Sequence, residues 1–196
     1  MEPVPLVSPN FEGKSDAFVP LALNTCGNCG HIQVSHVIDP ESNYRTYRYR
    51  TGGSPGLKEH FKAWADTVTT LPKDALVVEI GSNDGSLLNV FEEKGCRVQG
   101  VDPALLIAKH AMVPTVASFF TPFIAQQIVA KHGKADLIIA NNVLANIADL
   151  KPFMEGIRLL LAPDGRFVFE TQYGPDVFND MLVDTIYPEH VSYFAL

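Results

Sequence analysis

The sequence predicts an α/β fold in which a parallel sheet carries helices on both faces. From residue 73 onward, short apolar runs alternate with segments of helical periodicity, as expected for parallel strands joined by crossover helices. The runs are apolar on successive residues, as strands covered on both faces require. Glycine or proline punctuates most of the joints.

The elements follow in order. Ser54 caps a helix, Pro55 suits its first turn, and Leu57, Phe61, Trp64, Ala65, Val68 and Leu71 recur at helical spacing, forming a face that packs on the next segment. Ala75 to Ile80 is the first buried strand, and Gly85 to Lys94 a helix ended by Gly95. Arg97 to Val101 is a strand stopping at Asp102, Pro103 to His110 a short helix, and Val113 to Ala117 a third strand. Thr121 to His132 is a helix closed by Gly133, and Ala135 to Ala140 the fourth strand. Leu150 to Leu161 is a helix, Ala162-Pro163-Asp164-Gly165 a turn, and Arg166 to Thr171 the fifth strand. Crossovers in such a sheet are right-handed, and a ligand binds beyond the carboxyl ends of the strands. The expected division is a short amino-terminal segment over 1–53 that holds one CxxC, a linker helix over 54–72 and an α/β core over 73–196.

Composition narrows the function. The chain has 196 residues, 46% hydrophobic and 19% charged, with a net charge of −7. No basic field is present to hold a nucleic-acid backbone. No apolar run approaches the roughly 18 residues of a membrane span, and MEPVPLVSPNFEGKSDAF lacks the basic start and apolar stretch of a secretory signal. Three cysteines, two of them in one CxxC, make no disulfide framework. A soluble cytoplasmic protein is expected; its oligomeric state is left open.

Glu79, Gly81, Asn83, Asp84 and Gly85 lie in the turn between the first strand and its helix. Glycine there lets backbone approach a ligand. The spacing is G-x-x-x-G, without the G-x-G-x-x-G of a dinucleotide pyrophosphate site. Asp84 at the helix start repels a phosphate but suits S-adenosylmethionine, which carries a sulfonium and an amino-acid end. Asp102, twenty-one residues after Gly81, ends the second strand where a carboxylate accepts bonds from ribose hydroxyls. Asn141 and Asn142 follow the fourth strand, where their amides underlie the methionine portion.

The stretches TCGNCGHIQ, YRYRTGGSPGLKEHF, VVEIGSNDGSLL, ANNVLANIADL and DTIYPEHVSYF together resemble class I methyltransferases, and within them the sugar C-methyltransferases of deoxysugar biosynthesis. The likeness runs from about Phe18 to the last residue. It implies a Rossmann-like methyltransferase sheet preceded by a small zinc-ribbon-like segment. It implies S-adenosylmethionine contacts at Glu79, Gly81, Asn83, Gly85, Asp102 and Asn141. A tyrosine of the YRYR segment is implied to reach the active site, with Tyr49 matching best and Tyr47 next.

Methylating carbon requires that a proton α to a ketone leave and that the enolate oxygen be stabilised. His190 has the intrinsic pKa of the base. Tyr187 supplies a hydroxyl to the enolate oxygen, and Glu189 orients a neighbour; in an extended segment Glu189 and His190 point to opposite faces. Arg48 and Arg50, alternating with Tyr47 and Tyr49, offer guanidinium groups to the diphosphate of a nucleotide sugar.

Two features depart from the family. Relatives often place a histidine at the position of Asn146, which here hydrogen-bonds substrate without shuttling a proton. Cys26 and Cys29 are half of a four-ligand zinc site; residues 1–25 contain neither Cys nor His, and His31 and His36 are the substitutes on offer. Zinc is therefore an expectation resting on two ligands. The chain also ends inside an apolar segment, so a fragment truncated at both ends is expected, with a further C-terminal domain in relatives. The competing functions are O- or N-methylation of another small molecule, and a non-catalytic remnant of the same fold.

Overall fold

The computed structural model describes residues 3–5, 18–68 and 71–195; expectations falling on the remaining positions lie outside it. In chain order, the amino-terminal elements are strands β1 (Pro3–Pro5), β2 (Phe18–Pro20), β3 (Leu23–Thr25) and β4 (Ile32–Val34) and helices α1 (Pro40–Tyr44) and α2 (Pro55–Val68). They continue with β5 (Leu76–Ile80), α3 (Ser86–Glu93), β6 (Arg97–Val101), α4 (Leu105–Lys109), β7 (Thr115–Val116), α5 (Pro122–His132) and β8 (Ala135–Asn141). The last are α6 (Leu150–Leu160), β9 (Leu161–Glu170), α7 (Gly174–Asn179) and β10 (Ser192–Tyr193).

The chain forms two compact units. One gathers Tyr44–Asn141 and Asp149–Phe169; the other gathers Met1–Asn43, Asn142–Ala148 and Glu170–Leu196.

In the first unit a five-stranded sheet has the order β7-β6-β5-β8-β9. The pairs β5–β6, β5–β8 and β6–β7 are parallel. The order reverses at β5, between β6 on one side and β8 on the other, which opens a crevice at their carboxyl ends. Every residue of β5 is buried, which explains why all but Glu79 are apolar. The Leu57–Leu71 stripe lands as its spacing predicts: Phe61 and Ala65 are buried with Leu87, Leu88 and Phe91 of α3, and Leu57, Trp64, Val68 and Leu71 pack against them. Trp64 meets the Phe91 ring edge-on at 6.4 Å.

The predicted turn at 162–165 is absent as a separate element, because extended backbone runs from Leu161 through Glu170. As β9 is an edge strand, Pro163 interrupts no inner ladder. A Cβ at Gly165 would stand 2.7 Å from the Ala135 carbonyl, so the strand start needs glycine to lie that close. The helix expected from Pro103 begins at Leu105, because the Asp102 side chain holds the intervening turn through the Ala104 amide at 2.8 Å.

The second unit is built from three-residue and two-residue strands. Here β4 lies between β3 and β10, all antiparallel, with Ser192 opposite Gln33 and Tyr193 opposite Ile32. Val34, Val177, Val191 and Tyr193 form its small core. The β3–β4 connection carries the CxxC, closed by Cys26 N donating to His31 O at 2.8 Å and Gly30 N to Cys26 O at 2.9 Å. No helix of the described residues is long and apolar enough to cross a membrane.

Candidate active site

The turn after β5 is shaped by backbone that only small or amide side chains tolerate. Gly81, Asn83 and Gly85 have φ of 71°, 50° and 80°. A Cβ on Gly85 would meet Val113 Cγ2 at 2.8 Å, so this glycine serves both the left-handed backbone and the close approach of the segment leading into β7. Asp84 opens α3, its Oδ1 accepting from Ser86 Oγ at 2.6 Å and Ser86 N at 3.2 Å.

Polar groups gather around this turn at the carboxyl ends of three adjacent strands. Glu79 is 5% exposed and Asp102 6%. Both oxygens of Asp102 are engaged, Oδ2 by Asn83 N and Oδ1 by Ala104 N, each at 2.8 Å. Glu79 Oε2, Ser82 Oγ and both amide atoms of Asn141 are buried without a partner. Buried polar atoms in folded proteins are nearly always hydrogen-bonded, so this set is matched to something that brings its own donors and acceptors. Burial first, then the charges of Asp102 and Asp84, push the Glu79 carboxyl well above its ordinary range. Burial raises Asp102 as well, against the two amides that stabilise its anion. A ligand rich in hydroxyls and positive charge fits these groups: S-adenosylmethionine has a ribose diol, an ammonium and a sulfonium.

The Asn83 side chain ties the turn to the segment that precedes α2. Its Oδ1 accepts from Thr51 N at 3.0 Å and from Asp84 N at 2.9 Å, and its Nδ2 donates to the Tyr49 carbonyl at 2.8 Å. Gly52 N donates to Asp84 Oδ2 at 2.8 Å. Thr51 and Gly52 thus belong to the neighbourhood of the turn, a role for which the sequence carries no local signal because their partners lie 32 residues away. Tyr47 and Tyr49 are 37% and 53% exposed, on a stretch without regular structure. Arg48 and Arg50 are exposed as well.

Tyr187, Glu189 and His190 belong to the other unit. The segment, a loop or strand start by its sequence, is a turn: His190 N donates to Tyr187 O at 3.1 Å. Proline and glutamate occupy its two corners, where Pro188 presets φ. Residues 187 and 190 are thereby brought face to face, their ring centroids 3.9 Å apart. Tyr187 Oη lies 2.6 Å from His190 Nε2, and His190 Nδ1 lies 2.9 Å from the Thr185 carbonyl. A carbonyl only accepts, so Nδ1 carries the proton and Nε2 takes the bond donated by Tyr187. Burial lowers the His190 pKa; the Thr185 bond and the Glu189 charge oppose this but less strongly. The imidazole is therefore neutral near pH 7. Tyr193 hydroxyl reaches the same carbonyl at 3.5 Å, and burial pushes its pKa up to about 12.

Asn146 ends a short 3₁₀ turn, Leu144–Asn146. Its Nδ2 donates to Asn142 O at 3.2 Å and its Oδ1 is buried without a partner. Gln172 Nε2, two residues past β9, is likewise buried and unpartnered; a lone glutamine gave no sequence signal.

The zinc expectation finds no support in this arrangement. Cys26 and Cys29 are exposed at the hairpin tip, and among the described residues no group of three or more His, Cys, Asp and Glu is placed to hold a metal. His31 Nε2 lies 3.1 Å from Ser192 Oγ, and His36 Nδ1 2.8 Å from Ser35 Oγ. Two thiols without companions do not fit a four-coordinate structural zinc. Amides of Cys29 and Asn28 hold the Cys26 thiol below its usual range without any metal.

Residues 57–195 match the model of the methyltransferase domain family. The chain belongs to that family. Its parallel sheet and flanking helices are the Rossmann-like fold of class I S-adenosylmethionine-dependent methyltransferases. It is 34% identical over 197 residues to the C-methyltransferase NovU of Streptomyces niveus, an alignment covering 97% of this chain and 47% of that protein. It is 31% identical over 99 residues to a ubiquinone biosynthesis O-methyltransferase of a Methylobacterium strain, covering 48% of this chain and 40% of that protein. The chain thus spans about half the length, or less, of these curated relatives. Among solved structures, an S-adenosylmethionine-dependent methyltransferase from Archaeoglobus fulgidus superposes with a TM-score of 0.58 at 18% identity, covering 74% of this chain and 65% of that one.

Proposed function

We propose that this chain is the cofactor-binding and acid–base part of a C-methyltransferase that acts through an enolate on a nucleotide-activated keto-deoxysugar. The observation that carries it is the Thr185–His190–Tyr187 hydrogen-bond chain, which fixes a neutral imidazole in one tautomer with its basic nitrogen on a phenol. Oxygen and nitrogen acceptors are nucleophilic by themselves and rely more on proximity; a carbon acid needs a base.

S-adenosylmethionine, when bound, supplies an electrophilic methyl group. Asp102 serves its ribose, Glu79, Asn141 and the Gly81–Gly85 turn its amino-acid end. His190 Nε2 accepts the proton from the carbon next to the ketone, directly or by way of the Tyr187 hydroxyl. The resulting imidazolium keeps its Nδ1 donation to Thr185, and Glu189 favours its charge. Tyr187, Tyr47 and Tyr49 are the hydroxyls available to the enolate oxygen, and Asn146 Oδ1 accepts from a substrate hydroxyl. Arg48, exposed and without an ion pair among the described residues, suits the diphosphate.

Incubation of the protein with a nucleotide-linked keto-deoxysugar in deuterium oxide tests this. The carbon beside the ketone should exchange its proton, and His190→Ala should abolish the exchange; normal exchange and methyl transfer by that variant would sink the assignment. A second reading, O-methylation, draws on the likeness to an O-methyltransferase over half the chain. Mapping the methyl group in the product decides between them.

A further inference from the structure

Arg48 and Arg50 look equivalent in the sequence, yet the structure treats them differently. Two of the three bonds of the Asn83 amide fall on the residues either side of Arg50: Nδ2 on the Tyr49 carbonyl and Oδ1 on the Thr51 amide. One residue further on, Gly52 N is held by Asp84 Oδ2. A Cβ on Gly52 would lie 2.8 Å from that oxygen and 2.9 Å from Ser86 Oγ, so the strap sits directly on the start of α3. Arg48 shares only the first of these ties, the one at the Tyr49 carbonyl.

The order β6-β5-β8 then sets the direction of the cofactor. With its ribose at Asp102, just past β6, its amino-acid end would lie toward the ends of β5 and β8, where Glu79, Asp84 and Asn141 stand. The acids favour the cofactor's ammonium and repel its carboxylate. A carboxylate beside buried or half-buried acids needs a cation close by. Arg50 is exposed, forms no side-chain hydrogen bond or ion pair among the described residues, and is fixed to the turn on both sides.

We infer that Arg50 binds the carboxylate of S-adenosylmethionine, and that Asn83 is the positioning residue that holds the Tyr49–Gly52 strap against the cofactor turn. This rests on the proposed cofactor. It removes Arg50 from the diphosphate site and gives the strap two jobs, closing the amino-acid end of the cofactor while carrying Tyr47 and Tyr49.

Calorimetric titration of the whole chain with S-adenosylmethionine and with its decarboxylated form isolates the carboxylate. Arg50→Ala should weaken S-adenosylmethionine about tenfold or more, the worth of a charge-assisted pair, and leave the decarboxylated form within about twofold. Arg50→Lys should recover part of the loss. Asn83→Gly, which keeps the left-handed backbone without strain, should act in the same direction, and the double variant should bind no more weakly than Arg50→Ala alone. Equal weakening of both compounds by Arg50→Ala, or none of either, overturns the inference while the cofactor assignment survives. If the folded wild-type chain binds neither compound, the cofactor assignment itself falls and takes the inference with it.

Discussion

The cofactor turn and the His190 turn handle their polar groups in opposite ways. Around Gly81, Glu79 Oε2, Ser82 Oγ and the Asn141 amide are buried with no protein partner, and two buried acids are held above their usual pKa. Around His190, tyrosine, imidazole and carbonyl close on one another, and the histidine is held below its usual pKa. The first arrangement is incomplete without a ligand and the second is complete before one arrives. A binding site gains affinity from groups left unsatisfied, because ligand bonds then replace nothing. A base gains from being fixed in one tautomer beforehand, since no reorganisation is left for the reaction step.

Breaking the comparison at its stronger end means removing the base. His190→Ala should lower deuterium exchange and methyl transfer by about a hundredfold or more, with cofactor affinity unchanged by calorimetry. A parallel loss of cofactor binding would show that the two regions are not separable. Glu79→Gln should do the converse, weakening cofactor binding about tenfold while raising the melting temperature of the ligand-free protein, because it removes a buried charge facing two others. A fall in melting temperature would contradict the view of Glu79 as strained for binding.

Gly85→Ala probes the shape of the turn rather than its charge. Left-handed backbone and the 2.8 Å approach to Val113 act together, so a loss of about 1–3 kcal/mol in denaturant unfolding is expected.

Stability against pH should carry opposite signs in the two regions. Glu79 and Asp102 have raised folded pKa values, so their contribution is present below the ordinary carboxylate range and is lost as pH rises through the folded values. His190 is lowered from 6.5, so its contribution is present above 6.5 and is lost as pH falls through its folded value. Subtracting the melting profiles of Glu79→Gln and His190→Gln from that of the wild type should give slopes of opposite sign; slopes of the same sign would refute the contrast. The smallest effect is expected at the hairpin tip, where Cys26→Ser and Cys29→Ser, like a chelator, should leave the melting temperature in place.

Much of the first unit was legible locally. Its strands announce themselves because burial on both faces leaves Glu79 as the one polar position inside Leu76–Ile80, and the α2 stripe because a helix repeats its buried face every three or four residues. The turn glycines are equally local, since positive φ is a property of one residue. Even the Tyr187–His190 turn had a local mark, proline at its first corner. The zinc expectation came from a spacing that is necessary for a site but silent about the missing partners.

What the sequence by itself determined is therefore the sheet, its central strands and the turn after β5. Those follow from patterns repeated within a few residues. Tertiary structure alone decided which side chains close on which. Asn83 meets Tyr49 across 34 positions, and β10 meets β4 across the length of the chain. Hydrogen bonds of that span are fixed by where the backbone returns, and no local propensity encodes a return.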